Sequence, residues 1–65
     1  MKPMQRFILQ FQTPQDLTGF RKMVKDRVLF MNLKDLILEC TCTAEEIIHA
    51  QRHYAGVVLS KVENG

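Results

Sequence analysis

The sequence has few residues that form disulfides or special backbone turns, and it has no long apolar segment. It contains two cysteines, two prolines, three glycines and no tryptophan. Its longest uninterrupted apolar run, 28–31, is far shorter than the roughly 20 residues that cross a bilayer. No charged segment followed by an apolar one precedes a small-residue cleavage site. We therefore expect neither a membrane span nor a secretory leader.

The sequence also has little excess of positive over negative charge. The formal net charge is +2, and charged residues make up 25% of the chain against 46% hydrophobic residues. This mixture is typical of a folded globular protein. The net charge is well below that of a dedicated nucleic-acid binder, so we do not expect nucleic acid as a partner. A mildly basic chain still permits an acidic partner.

The small size of the chain limits the core that it can build. With 65 residues it forms one domain, and such a domain buries only about 60% of its unfolded surface. Cys40 and Cys42 lie two residues apart on one side of a strand, at about 7 Å, which is too far for ordinary disulfide geometry. Free thiols indicate a reducing, cytoplasmic setting. Homo-oligomerisation is the expected source of additional buried area.

Hydrophobic periodicity divides the chain into four strands and two helices. Alternation of apolar and polar residues predicts the strands, and apolar repeats at helical spacing predict the helices. In chain order we predict a strand at 5–12, a helix beginning at Pro14, strands at 28–32 and 36–42 joined by a tight turn near Lys34 and Asp35, a helix at 44–55, a strand at 57–62 and a frayed tail at 63–65.

Local signals support the helix boundaries. Thr13 suits an N-cap, and Thr43 with Glu46 forms a capping-box pattern. Gly56 stands where a helix C-terminus commonly places glycine. Gly19 lies inside the first helix, where glycine costs about 1 kcal/mol relative to alanine. We therefore expect a close approach of the sheet or the other helix at Gly19.

The element order strand, helix, strand, strand, helix, strand predicts an α+β fold. Right-handed crossovers place both helices on one face of a four-stranded antiparallel sheet. This is the ferredoxin-like βαββαβ plait, and that fold class implies the strand order fourth, first, third, second. An alternative architecture leaves the last strand detached or exchanged between two chains. In either case residues 1–65 form a single domain.

Catalytic and cofactor-binding patterns are missing from this sequence. There is no paired acid and base, no phosphate-binding loop and no triad pattern. The outward positions of the first and third strands carry no aromatic residue, unlike RNA-recognition modules of this fold. The loop 12–15 carries no cysteine, unlike heavy-metal-associated domains. We therefore predict a non-enzymatic protein without a cofactor.

The cysteines and histidines are the candidate metal ligands. Cys40, Cys42, His49 and His53 are of the types that zinc prefers. The cysteines are predicted to face the helices, whereas the histidines are predicted to face away from the sheet. One ion with bonds of about 2 Å cannot reach both sets. We expect buried core thiols and solvated histidines, with a metal-binding or thiol redox protein as the alternative function.

The basic end of the first helix is a second alternative site. Arg21, Lys22, Lys25 and Arg27 stand against a single acid, Asp26. Such a cluster can meet phosphate or an acidic protein. It also fits a solvated helix C-terminus, where cations complement the helix dipole. Weak nucleic-acid or acidic-partner binding through 21–27 is therefore an alternative and not the main expectation.

The open face of the predicted sheet is the main candidate interaction site. Nothing in the predicted topology covers it, and contiguous apolar patches usually mark interfaces. We predict a small interaction or ligand-sensing module that forms a homodimer through this face or through an edge strand. The predicted interface residues are Ile8, Val28, Phe30, Ile37 and, depending on register, Val58 and Val62.

Overall fold

A computed structural model describes residues 4 to 62, and they form four strands, two α-helices and one short 3-10 turn. The elements are β1 (Gln5–Gln10), α1 (Pro14–Met23), the 3-10 turn Lys25–Arg27, β2 (Val28–Asn32), β3 (Ile37–Cys42), α2 (Ala44–His53) and β4 (Val57–Val62). The predicted α+β class with four strands and two helices is confirmed. The predicted frayed tail at 63–65 lies outside the described residues.

The four strands form one antiparallel sheet in the order β2-β3-β1-β4. β1 and β3 are the central strands, and β2 and β4 form the two edges. Because β4 pairs with β1 of the same chain, the alternative with a detached or exchanged last strand is not the observed one. The turn between β2 and β3 occupies 33–36, as predicted, and the Asn32 side chain accepts hydrogen bonds from the backbone of Lys34 and Asp35.

Both helices pack on the same face of the sheet. Alternate residues of the central strands and one stripe from each helix form a single buried cluster. This pattern follows from side-chain periods of 2 in strands and 3.6 in helices. The cluster consists of Phe7, Leu9, Phe11, Leu17, Phe20, Val24, Leu38, Cys40, Cys42, Ile47 and Ala50.

The helix N-termini form as their sequences predict. The Thr13 hydroxyl accepts a hydrogen bond from the backbone N–H of Asp16 at 3.1 Å. The Thr43 hydroxyl accepts from the backbone N–H of Glu46 at 3.2 Å, and Glu46 accepts from the backbone N–H of Thr43 at 2.9 Å. Each bond satisfies a backbone donor that has no partner inside the helix.

The end of α2 differs from the expected glycine cap. The left-handed backbone conformation falls on Ala55, with φ of 53°, one residue before Gly56. The N–H of Gly56 donates to the carbonyl of Ala50 at 3.0 Å, which closes the helix. A Cβ at Gly56 would lie 3.0 Å from Cε1 of Phe11. A side chain at Gly56 would therefore require the Phe11 ring to shift by a few tenths of an ångström, and the conformational freedom of glycine is not used there.

Gly19 has the close approach that its position predicts. A Cβ at Gly19 would lie 2.6 Å from Cε1 of Tyr54, the residue that caps the C-terminus of α2. The Tyr54 ring also packs against Phe20, with centroids 6.2 Å apart. The contact therefore joins the two helices through a gap that only glycine leaves open.

We expect Gly19→Ala to lower the free energy of unfolding by about 1 kcal/mol. Overpacking costs about 1 to 3 kcal/mol, and the gain in helix propensity returns about 1 kcal/mol of it. Thermal unfolding should show a melting temperature lower by about 4 to 8 °C. In a Tyr54→Leu background the obstructing ring atom is gone, so the same substitution should become stabilising. Destabilisation of equal size in both backgrounds would contradict the role given to Tyr54.

Two bulges correct the predicted placement of Val28 and Val58. β2 pairs Val28 with Cys40 and Phe30 with Glu39, which leaves Leu29 as an extra residue. Because of the extra residue, Val28 and Phe30 point to opposite faces of the sheet, although they are two positions apart in the chain. Val28 therefore packs against the core cluster and not on the open face. The prediction that placed it on the open face is wrong.

The second bulge lies in β4. Ile8 pairs with Ser60 and Leu9 pairs with Val58, which leaves Leu59 unpaired between them. Val58 thus lies opposite a core residue and packs against the core cluster. Its predicted place on the open face is also wrong. Val62 pairs with Arg6, but its side chain lies outside the described part of the chain.

Candidate functional site

The sheet face opposite the helices carries a regular grid of side chains. The strand registers align these residues in rows that run from β2 to β4. One row holds Phe30, Glu39, Ile8 and Ser60, and the next holds Asn32, Ile37, Gln10 and Val57. A third row holds Thr41 and Arg6. The exposed residues of this face lie on β1, β2 and β4, and its β3 residues are half-buried.

A continuous apolar band crosses this face. It runs through Phe30 on β2, Ile37 on β3, Ile8 on β1 and Val57 on β4. Successive members are diagonal neighbours, within reach of each other at roughly 7 to 8 Å. Phe30 is 53% exposed and Val57 is 52% exposed, whereas the two isoleucines are half-buried. We call these four residues the apolar band.

An ion pair lies beside the apolar band on the central strands. Arg6 Nε and Glu39 Oε2 are 3.1 Å apart, joining β1 to β3. The two residues occupy diagonal positions in adjacent rows. A solvent-exposed pair of this kind contributes little to folding by itself. Its consequence is that the open face presents one positive and one negative group side by side.

Of the six predicted interface residues, the structure places three on this face, and the side chain of Val62 lies outside the described part of the chain. Ile8, Phe30 and Ile37 lie on it, whereas Val28 and Val58 face the core. Val57 was missed because the pattern of the last strand gives no sign of the bulge at Leu59. An interface role for any of these residues stays a prediction.

The two cysteines are buried thiols on the core face of β3. Cys40 and Cys42 are both free and completely buried, as expected for small core residues. A hydrogen bond with Cys40 raises the pKa of the Cys42 thiol, and burial raises it further. A buried, protonated thiol is a poor nucleophile and a poor metal ligand. This environment argues against thiol chemistry at Cys42.

The two histidines lie together on α2. The His49 and His53 ring centroids are 4.3 Å apart, and the His49 ring also lies 5.7 Å from that of Tyr54. His53 is exposed, as expected, but His49 is half-buried. Across the described range 4–62, no group of three or more His, Cys, Asp and Glu side chains could hold a metal ion. The structure therefore does not bring the cysteines and histidines together as one site.

One of the four cations in the basic segment 21–27 forms an ion pair within the protein. Arg27 donates two hydrogen bonds of 2.7 Å to the two carboxylate oxygens of Glu46, so its charge is committed to α2. Arg21, Lys22 and Lys25 remain exposed. Of these three cations, Lys22 lines the depression described next.

A shallow depression of about 410 Å³ lies beside α1. Its lining is mostly uncharged, with a single cation among the five residues, which are Pro14, Gln15, Thr18, Gly19 and Lys22. A site for a specific small ligand usually encloses the ligand and offers several convergent polar groups. This depression does not have that character.

Neither α1 nor α2 has the length and apolar character of a bilayer-crossing helix, and no other helix of residues 4–62 has them. Each of the two helices is 10 residues long. A span needs about 20 predominantly apolar residues.

Comparison with known proteins returned no relatives. The chain matches no family model, no curated protein and no solved structure.

Proposed function

We propose that this protein is a small, non-enzymatic interaction module with the ferredoxin-like plait fold, and that it forms a homodimer through its open sheet face. The strand order β2-β3-β1-β4, taken from the β4 edge, is fourth, first, third, second. A helix follows β1 and another follows β3, which agrees with the βαββαβ succession. The observation that carries the proposed function is the apolar band on this face.

The dimensions of the face are consistent with a reversible dimer. Strands about 4.8 Å apart and rows about 6.8 Å apart give a flat footprint of about 400 Å². Protruding side chains increase the accessible area above that footprint. Specific interfaces of standard size bury about 800 Å² per partner, so the flat footprint is about half of that and matches the weak, transient class. We therefore expect a dimer that dissociates on dilution.

The charges on the face favour a second copy as its occupant. Arg6 and Glu39 are adjacent, so the face is self-complementary. A twofold axis between two facing sheets can place Arg6 of one copy over Glu39 of the other, and the reverse. Each charge then meets an opposite charge while the two apolar bands exclude water. A partner with a strongly acidic or basic surface would leave one of the two groups against a like charge.

The test of this proposal is the mass in solution of Phe30→Asp. A carboxylate in the apolar band should prevent two faces from packing, so the wild type should show a two-chain mass and the variant a one-chain mass. Sedimentation velocity over a dilution series measures both.

The matched control is Ile48→Asp, which replaces another apolar residue, 47% exposed, on α2. It should leave the dimer intact. A wild type that stays at the one-chain mass at every concentration, or a Phe30→Asp variant that keeps the two-chain mass while folded, would refute the face-to-face dimer.

The free thiols suggest where such a module would work. Cys40 and Cys42 are unpaired and buried, which suits a reducing compartment such as the cytoplasm. Their burial also weakens the thiol redox alternative. The Arg27 ion pair with Glu46 likewise weakens the alternative of nucleic-acid binding through 21–27, because it removes one of the four cations from that surface.

A further inference from the structure

We infer that His49 and His53 form a two-histidine chelate for one divalent transition-metal ion such as Ni²⁺, Cu²⁺ or Zn²⁺. The two residues are four positions apart on α2, so their side chains project from the same side of adjacent turns. Neutral imidazole nitrogen is a good ligand for each of these ions. The chelate is independent of the proposed dimer, because α2 packs on the sheet face opposite the apolar band.

The separation of the two rings is compatible with a chelate. A metal ion binds imidazole nitrogen at about 2.0 to 2.1 Å, which places the centres of two rings that share the ion roughly 4 to 5 Å apart. The observed separation of the His49 and His53 centroids is 4.3 Å. The two rings are therefore close enough to share one ion.

An aromatic ring lies beside His49, the first of the two ligands. The His49 ring lies 5.7 Å from the Tyr54 ring, and the Tyr54 ring lies against Gly19 and Phe20. His49 itself is half-buried beside this ring. A ligand that is ordered before binding loses less conformational entropy when the ion arrives. His53 is exposed and leaves the other side of the ion open to water.

The site is a partial coordination sphere. The described residues 4 to 62 supply no third His, Cys, Asp or Glu arranged with this pair to hold an ion, so solvent completes the coordination. Two protein ligands give a weaker site than the four of a structural zinc centre. Affinity should follow the usual order for nitrogen ligands, with Cu²⁺ above Ni²⁺ and Zn²⁺.

The experiment is a calorimetric titration of the untagged full chain with Ni²⁺. We expect one ion per chain, and an affinity at least about tenfold lower in either His49→Gln or His53→Gln, since loss of one of two ligands should cost no less than loss of a supporting group. A second readout is thermal unfolding, in which Ni²⁺ should raise the melting temperature of the wild type only.

The decisive control keeps two histidines but changes their spacing. The double variant His53→Gln with Gln51→His places the second imidazole two residues from His49, on a different side of the helix. It should bind as weakly as the single variants. Equal affinity in the wild type and this control would overturn the chelate, as would near-ultraviolet thiolate-to-nickel absorption showing that Cys40 and Cys42 hold the ion.

Discussion

Mixing the variants Arg6→Glu and Glu39→Arg is expected to yield a heterodimer that is tighter than either variant's own homodimer. In the proposed twofold contact, Arg6→Glu alone places two acids against two acids, and Glu39→Arg alone places two bases against two bases. Like charges at an interface cost several kcal/mol, so each homodimer should weaken by about 100-fold. The mixed pair instead places two acids opposite two bases.

Native mass spectrometry with one variant isotopically labelled measures the mixed species directly. The internal control is the single chain that carries both substitutions, which restores opposite charges across the axis and should recover the homodimer. The effect should shrink as salt is raised, because exposed charges are screened beyond about 8 Å at physiological ionic strength.

Together, the Phe30→Asp variant and the charge variants test whether the dimer forms and how its two chains are oriented. If Phe30→Asp abolishes the dimer while both charge variants retain it, then the apolar band is the interface but Arg6 does not meet Glu39 of the second copy. If the wild type never dimerises, the proposed function fails as a whole. The histidine chelate on α2 stands or falls separately in both cases.

Replacing Arg27 with Gln is expected to lower the free energy of unfolding by about 1 to 2 kcal/mol at pH 7. Arg27 donates two hydrogen bonds of 2.7 Å to Glu46, and the same carboxylate accepts from the backbone N–H of Thr43. Hydrogen bonds to charged groups contribute about 1.5 to 3 kcal/mol. The two side chains are 26% and 21% exposed, so solvent screening reduces that range.

The pH dependence of stability identifies Glu46 as the group involved. The hydrogen bond from Arg27 lowers the pKa of Glu46, burial opposes this, and the hydrogen bond from the Thr43 backbone lowers the pKa further. A carboxyl whose pKa is depressed on folding stabilises the protein above its unfolded pKa, about 4.3 for Glu. That contribution is lost as the pH falls through the lower, folded pKa.

Urea denaturation at a series of pH values tests this sign. Between about pH 5 and pH 2, the wild type should lose more stability than Arg27→Gln or Glu46→Gln. The control is Asp26→Asn, which removes one acid from the exposed 3-10 turn next to Arg27 and should leave the pH dependence close to that of the wild type. Parallel curves for the wild type and Glu46→Gln would show that this ion pair does not carry the acid sensitivity.

The buried side of α2 is only partly the one that hydrophobic periodicity predicts. The sequence pattern favours an inward arc that includes Ala44, Ile47 and Ile48. In the structure Ile47 and Ala50 are buried, whereas Ile48 is 47% exposed. The buried side of the helix therefore differs from the expected arc, and Tyr54 at its end packs against Gly19 on α1. A contact between distant parts of the chain overrides the local apolar count.

The sequence by itself determined the four strands, the two α-helices and the residue at which each α-helix begins. Helix caps such as Thr13 and Thr43 act within three residues, and strand alternation is a property of each segment. Only the tertiary structure decided the bulges at Leu29 and Leu59, the partner of Arg27 and the side on which Val28 and Val58 lie. These features depend on pairing between residues far apart in the chain. A residue is extra in one strand only because the neighbouring strand has no residue opposite it.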